Sequence, residues 1–179
     1  MNLIKFYNNA KQKVIDAGYG NEIERYWQIS FENIDSEQFL RNYVWVVLNA
    51  GMKWEIAKRI FENYPNIKIN HRGKKAAIDL AVRKHQVWLD ILRSIKSDED
   101  KIEYLKSLPY IGSISCHHLA RNIGIDTVKD DRHLRRVADQ FGYSTPIDMC
   151  KEIQKGTNER LGVIDIVLWR YSKLKSHSS

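Results

Sequence analysis

Apolar residues that recur three or four positions apart constrain this chain more than any other feature, because they fill nearly every segment between its glycines and prolines. In a helix, this spacing places the apolar side chains on one face. We find no segment with the strict apolar–polar alternation of a half-buried strand, and no repeat of solenoid length. The sequence therefore predicts an all-α protein.

Capping residues and helix breakers divide this pattern into separate helices. Asp35 or Ser36 can cap one helix, and Ser97, which is followed by three acids, can cap another. Thr145 followed by Pro146 predicts a third start. The predicted helices cover residues 3–17, 22–31, 36–48, 74–95, 115–123, 131–141 and 161–174. Another runs from residue 54 to near Pro65, one runs from residue 98 to Leu108-Pro109, and one more begins at residue 146. Residues 175–179 are expected to form a tail.

The composition is that of a soluble protein with a substantial core. Hydrophobic residues make up 43% of the chain and charged residues 28%. The second half of the predicted helix 36–48 is apolar on almost every side, which is typical of a buried central helix. The longest apolar run, residues 43–48, is far shorter than the ~20 residues that span a bilayer, and the first residues lack the apolar core of a signal peptide. We expect an intracellular protein, cytoplasmic or associated with the nucleoid, without membrane contact.

Charge and cysteine content narrow the possible partners and cofactors. The chain has 29 Lys and Arg against 22 Asp and Glu, and this net charge of +7 suits a polyanionic partner without identifying one. Two cysteines, Cys116 and Cys150, exclude a four-cysteine zinc or iron–sulfur site within the chain. Adjacent residues on a helix point apart, so the run Cys116–His118 is not expected to bind a metal. We expect no cofactor.

The run Leu-Pro-Tyr-Ile-Gly-Ser at residues 108–113 predicts a tight turn between two helices. Pro109 ends the incoming helix, Gly112 allows another backbone to approach closely, and Ser113 lies where the next helix begins. Amides at the start of a helix have no partner within it and carry partial positive charge, so a phosphate oxygen is a natural ligand. The turn is either a phosphate-binding hairpin or an ordinary corner between helices.

This hairpin and the segment after it together resemble the helix-hairpin-helix DNA glycosylases, the superfamily that includes endonuclease III. The family pattern is Leu-Pro-Gly-Ile-Gly, a helix, and then Val-Asp-x-His-x-x-Arg-Val. Here the first motif is residues 108–112 and the second lies within residues 129–137. Asp131 takes the position of the catalytic acid, while His133 and the pair Arg136–Val137 take the other matched positions. The resemblance covers most of the chain.

The resemblance implies a two-lobed helical fold with the active site in the cleft between the lobes. Lobe A would comprise approximately residues 1–30 and 131–174, and lobe B approximately residues 31–130, which contain the hairpin at 108–114. The whole chain, 1–179, would form a single glycosylase body of this kind.

The resemblance also implies a DNA glycosylase that acts on a base flipped out of a duplex. In that family, the acid at the position of Asp131 stabilises the oxocarbenium ion of the sugar and activates water. The implied partner is DNA and the implied state is a monomer, and a structural monovalent cation at the hairpin is the one bound ion left open. Asp131 has a simpler interpretation as the N-cap of the helix after it.

Two departures from the family pattern bear on the reaction. Bifunctional members carry a lysine two residues after the second hairpin glycine, where this chain has Ile114. The resemblance therefore implies a monofunctional enzyme that leaves an abasic site. A lysine upstream of the hairpin, such as Lys74 or Lys75, is the alternative, and both are interpreted as solvated surface residues. Tyr110 replaces the first hairpin glycine, which places a side chain within the turn.

Further candidates come from matching the rest of the family pattern. The loop 49–52 falls where the family has its intercalating loop, so Met52 is either a wedge that fills the gap left by the base or a core residue. Tyr43 and Trp45 either stack on the base or belong to the core. The DNA-binding candidates are Asn49, Met52, Tyr110, Gly112, Ser113, Ile114 and Arg132, and the base-pocket candidates are Tyr43, Trp45, Ile114 and His118. Other candidates for phosphate-side charge are Lys84, Arg121, Lys129, Arg135 and Arg136.

Two rival functions stay open from the sequence. A helix-hairpin-helix module without catalysis would bind DNA and release no base, although a carboxylate beside a phosphate-binding hairpin would repel its ligand. A bifunctional glycosylase would also cut the strand through a lysine. The excised base stays open among alkylated, oxidised, deaminated or mismatched bases and the enlarged bases of phage DNA.

Overall fold

The structure, a computed structural model, describes residues 2–176, and every element of secondary structure in that range is helical. These residues form ten α-helices, a π-helical turn (Ile15–Tyr19) and a short 3₁₀ helix (Phe31–Asn33). The α-helices are α1 (Leu3–Val14), α2 (Gly20–Gln28), α3 (Ser36–Asn49), α4 (Trp54–Glu62), α5 (Arg72–Ser94), α6 (Asp98–Ser107), α7 (Ser115–Asn122), α8 (Arg132–Gln140), α9 (Pro146–Thr157) and α10 (Leu161–Ser176). No helix in this range is long and apolar enough to cross a membrane. The predicted all-α class is confirmed.

The first two helices end earlier than the sequence predicted. α1 stops at Val14 instead of residue 17, because the chain enters a π-helical turn in which Gly18 adopts a left-handed conformation (φ +89°). Glycine tolerates this conformation without steric cost. α2 then begins at Gly20 and ends at Gln28, ahead of the predicted end at residue 31.

Two other helix ends also differ from the prediction. α5 begins at Arg72, two residues earlier than expected, because the His71 side chain accepts a hydrogen bond from the Lys74 N–H (3.3 Å) and caps the helix. α10 continues to Ser176, so the predicted tail is helical in its first two residues. Its remainder, residues 177–179, lies outside the described residues.

The described chain divides into two compact units. One comprises residues 2–30 and 124–176 and is called the terminal unit below, and the other comprises residues 31–123 and is called the central unit. Residues 124–130, which the sequence assigned to lobe B, belong to the terminal unit. Asp131 therefore lies in the terminal unit, and the hairpin lies in the central unit.

The terminal unit is built around α10, which packs against α1, α2, α8 and α9. Arg160, just before α10, fastens the two chain segments of this unit to each other. Its guanidinium donates to the carbonyl oxygens of Tyr26, Trp27 and Ile29 at the end of α2, and to Gly124 O (3.0 Å). These hydrogen bonds fix the segment that leads towards Asp131.

The central unit is built around α3, which packs against α4, α5 and α7. Phe39, Tyr43 and Val47 have no exposed surface, so the prediction of a buried central helix is confirmed. The predicted cap is also present, since the Asp35 side chain accepts a hydrogen bond from the Gln38 N–H (2.7 Å) and the Asp35 N–H donates one to Gln38 Oε1 (3.0 Å). Such a capping box fixes where the helix starts.

Candidate functional site

The hairpin between α6 and α7 is closed by its own backbone and anchored by two apolar side chains. Leu108 and Ile111 are 5% and 6% exposed, and the Ile111 N–H donates to Leu108 O (3.1 Å). The first hydrogen bond of α7 runs from the Cys116 N–H to Gly112 O (2.9 Å). The amides of residues 113–115 come before this bond in the chain, at the start of the helix. Residues 112–114 are exposed. The hairpin therefore presents an exposed helix start on buried anchors.

Tyr110, in place of the first family glycine, adopts a left-handed conformation (φ +64°). This conformation costs a residue with a Cβ about 1 kcal/mol relative to glycine. The ring is held at the start of α5, where it meets the His71 ring edge-on at 5.7 Å and its hydroxyl lies 3.3 Å from His71 Nε2. Gly73 gives it room, because a Cβ there would come within 3.2 Å of the ring. The substitution is thus compatible with a glycine-like turn.

Tyr43 of α3 stabilises the hairpin from within the core of the central unit. Its side chain is fully buried, its hydroxyl donates to Pro109 O, and its ring lies 5.4 Å from the Trp88 ring. Burial raises the pKa of Tyr43, because a phenolate would lose its hydration there. The base-pocket assignment made for Tyr43 from sequence does not fit this burial, since no ring face is left open to a base.

Lys74 is buried, contrary to its interpretation as a solvated residue. Only 2% of the residue is exposed, and Nζ donates to Leu48 O (2.6 Å) and lies 5.8 Å from the centroid of the Tyr110 ring. Burial lowers the pKa of Lys74, because the ammonium form loses hydration. The neighbouring Lys75 is exposed and paired with Asp79, as expected of a surface lysine. Lys74 therefore joins the end of α3, the start of α5 and the hairpin.

The loop after α3 is a tight turn with half-buried side chains. Asn49 Nδ2 donates to Trp45 O (2.9 Å), and the Met52 N–H donates to Asn49 O (3.3 Å). Gly51 has a positive φ of 65°. Met52 is half-buried and lies outside the fully buried core. Trp45 is half-buried as well, and its ring contacts Phe61 at 5.2 Å.

The start of α7 brings two base-pocket candidates to one helix face. Ile114 is 50% exposed, and His118 lies one turn further, its N–H donating to Ile114 O (3.4 Å). Ser115 Oγ accepts the Gly112 N–H (2.7 Å), so this amide is already bound within the hairpin. Among the described residues, no three or more His, Cys, Asp or Glu side chains lie close enough to hold a metal ion.

Asp131 is the N-cap of α8, and its two carboxylate oxygens have different surroundings. Oδ1 accepts hydrogen bonds from the N–H groups of His133 (2.8 Å) and Leu134 (3.1 Å). Oδ2 lies 3.8 Å from Lys129 Nζ, and the Asp131 side chain is 13% exposed. The capping interpretation of Asp131 is therefore confirmed, and it leaves one carboxylate oxygen outside the cap.

The loop before Asp131 is fixed by a residue that the sequence did not single out. Asp165, 1% exposed on α10, accepts a hydrogen bond from the Lys129 N–H (2.6 Å). The Asp131 N–H then donates to Lys129 O (2.9 Å). A lone carboxylate in the apolar run at residues 161–169 was the signal that could have marked it.

The other charged and polar candidates differ in their solvent exposure and in their contacts. Arg132 is exposed, and Arg135 is paired with Asp130. Arg121 is 6% exposed, so it does not supply the surface charge expected of it. His133 is buried, with Nδ1 3.0 Å from Ser172 Oγ, and burial lowers its pKa. Of the candidates for catalysis, DNA binding and the base pocket, Asp131 and Arg132 lie in the terminal unit and the others in the central unit. The phosphate-side candidates Lys129, Arg135 and Arg136 also lie in the terminal unit.

Comparison with known proteins finds a structural relative. No protein-family model and no curated protein matches the chain. The solved structure of the 8-oxoguanine glycosylase/lyase of Methanocaldococcus jannaschii, in complex with a 15mer DNA containing 8-oxoguanine, matches with a TM-score of 0.72. The match is 21% identical in sequence and covers 94% of this chain and 96% of the other. As its two motifs predicted, this chain has the fold of the helix-hairpin-helix DNA glycosylases.

Proposed function

We propose that this protein is a DNA glycosylase, which hydrolyses the bond between deoxyribose and a modified or mismatched base and leaves an abasic site. The observation that carries the proposal is Asp131, which stands at the acid position of the second motif with one carboxylate oxygen outside its helix cap. The likeness to an 8-oxoguanine glycosylase/lyase bound to DNA supports the same reaction class.

The surroundings of Asp131 suit the stabilisation of a positive charge. When the base leaves, positive charge develops on the sugar ring, and a fixed carboxylate oxygen lowers the energy of that state. Because two backbone N–H groups hold Oδ1, the orientation of Oδ2 is set before substrate binds. The same oxygen is suited to orient the water that attacks the sugar carbon. The proposed reaction uses the Asp131 carboxylate and water, without a cofactor.

The proposed DNA contacts lie in the central unit. The amides of residues 113–115 are suited to bind a phosphate group, while the Gly112 N–H is already held by Ser115. Met52, half-buried at the end of its turn, is the proposed wedge beside an extruded base. Ile114 and His118 are the proposed pocket residues. The proposed substrate is a duplex with a flipped base, bound by a monomer inside the cell.

The experiment that tests the proposal is incubation with a panel of duplexes and single strands that carry alkylated, oxidised, deaminated, mismatched and enlarged bases. Alkali then cleaves any abasic product, and Asp131→Asn serves as the paired inactive variant. Base release by the wild type and not by the variant is expected. A protein that binds these DNAs but releases no base from any of them would be the rival module without catalysis.

A further inference from the structure

We propose that one surface of the central unit binds an unpaired DNA strand, with Trp54 stacking on a base and Lys58 contacting a phosphate group. This surface, called the α3–α4 edge below, consists of Arg41, Trp45, Trp54, Lys58 and Phe61. It shares no residue with the hairpin or with the loop before α8. It would therefore add a binding site to the proposed glycosylase activity.

α4 leaves much of its apolar surface in contact with solvent. Of its nine residues only Ala57 is buried, and Trp54 at its first position is 38% exposed. Two more rings, Trp45 of α3 and Phe61 of α4, are half-buried and lie 5.2 Å apart. Exposed apolar groups that adjoin one another mark a binding surface more often than isolated groups do.

Positive side chains lie over these rings. Lys58 Nζ is 5.1 Å from the centroid of the Trp54 ring, and the Arg41 guanidinium is 5.0 Å from the centroid of the Phe61 ring. Residues 54, 58 and 61 are spaced so that they share one face of α4. Lys58 also lies 3.6 Å from Glu62, but both groups are exposed, and such a pair is weak enough for a phosphate to replace it.

The charge and the rings together favour an unpaired strand as the ligand. From residue 41 to residue 70 the chain has five basic and two acidic residues, which suits a polyanion. Surfaces that bind single strands combine positive groups, which follow the phosphates, with aromatic rings, which stack on successive bases. The bases of a paired duplex are already stacked on one another, so a ring face is of use mainly to an unpaired strand.

The position of the edge connects it with the proposed reaction. The turn at residues 49–52 ends two positions before Trp54, and Met52 in this turn is the proposed wedge. Nucleotides that lose their partners when the duplex opens would therefore lie close to the edge. This connection rests on the proposed function, whereas the binding of an unpaired strand does not.

The test compares two labelled strands of the same length by fluorescence anisotropy. One has about ten thymidines, and the other has tetrahydrofuran sugars, so it carries the phosphates without any base. Trp54→Ala should weaken binding of the thymidine strand about tenfold and leave binding of the base-free strand nearly unchanged. Trp54→Phe, which retains a smaller ring, should recover part of the loss.

Lys58→Gln should have a different effect, because contact with a phosphate does not depend on a base. It should weaken binding of both strands. It should also lower the slope of log affinity against log salt concentration by about 0.7, which is the contribution of one phosphate on a single strand. Trp54→Ala should leave this slope unchanged.

Matched controls come from the terminal unit. Trp27 on α2 is 40% exposed, and Lys155 on α9 is an exposed lysine paired with Glu152. Trp27→Ala and Lys155→Gln remove the same groups elsewhere and should bind the thymidine strand as the wild type does. Equal losses in Trp54→Ala and Trp27→Ala would overturn the proposal. An equal loss of Trp54→Ala on the thymidine strand and on the base-free strand would also overturn it, because stacking requires a base.

Failure of this inference and failure of the proposed function give different results. If the wild type releases a base from the panel and Trp54→Ala binds the thymidine strand normally, the edge is refuted and the glycosylase stands. If Trp54→Ala loses only the thymidine strand and the wild type releases no base, the edge is supported and the glycosylase is refuted.

Discussion

The hairpin in the central unit and the loop before α8 in the terminal unit are held in place by different chemistry. The hairpin is supported by the neutral phenol of Tyr43 and by the ring contact between His71 and Tyr110. It is also supported by the buried Lys74, whose amine is bound to a carbonyl oxygen. The loop before α8 is held by two carboxylates, Asp165 and Asp131, each bound to backbone N–H groups.

This difference suits the two tasks that we assign to the regions. A surface that binds a phosphate loses affinity when carboxylates stand near it, and none of the hairpin contacts described above involves one. A site that stabilises a positive sugar needs a fixed negative charge. We therefore expect the loss of a charge to have its largest effect on function at the loop before α8. At the hairpin, we expect the largest effect from the loss of an uncharged hydrogen bond.

The largest effect is expected when Asp131 loses its charge and keeps its cap. Asparagine caps helices about as well as aspartate, so Asp131→Asn should lower base release by roughly 100-fold or more while thermal unfolding stays nearly unchanged. The control is Asp35→Asn, the same change at the cap of α3, which should leave base release intact. Wild-type activity in Asp131→Asn would remove the basis for the assignment.

A smaller effect is expected from Asp165, which holds the loop. Asp165→Ala leaves the partly buried Lys129 N–H without this acceptor, which should cost about 1–3 kcal/mol of unfolding free energy and lower kcat more than it raises KM. Asp165→Asn keeps an acceptor oxygen and should recover much of both losses. Denaturant unfolding and steady-state kinetics measure the two quantities. If the asparagine variant behaves like alanine, the carboxylate charge and not the hydrogen bond holds the loop.

A loss of about 1–2 kcal/mol of unfolding free energy is expected from Tyr43→Phe, because Pro109 O loses its buried donor. DNA binding should weaken as the hairpin loosens, while base release from bound DNA changes little. Tyr104→Phe, which removes a half-buried hydroxyl from α6, should cost less than about 0.5 kcal/mol. Equal losses in the two variants would show that the contact with Pro109 O is not what stabilises the hairpin.

The features that the sequence predicted correctly depend on short stretches of chain. Helical spacing, the N-cap at Asp35 and the N-cap at Asp131 each involve residues within four positions of one another. The hairpin and acid motifs are also local, and they led to the fold that the structural relative confirms.

The features that the sequence missed depend on contacts between distant segments. Lys74 looked like a surface lysine because nothing beside it in the sequence shows that α3 and the hairpin cover it. Arg121 was placed at the surface for the same reason. Asp165 went unnoticed because its partner, Lys129, is 36 positions away. The pairing of Lys129 Nζ with Asp131, although local, depends on how that loop is held.

The smallest effect is expected from the titration of His133, which connects the first turn of α8 to α10 through Ser172. Burial lowers the pKa of His133 below its ordinary value of 6.5, so the folded state binds fewer protons than the unfolded state in the range between the two pKa values. The unfolding free energy should therefore decline as the pH falls from 6.5 through the lowered pKa. His133→Asn, which offers Ser172 a similarly placed amide, should flatten this decline in denaturant titrations at several pH values. A slope below pH 6.5 that is identical in the variant would mean that carboxylate protonation elsewhere governs acid stability, and that the contact between α8 and α10 does not respond to pH through this histidine.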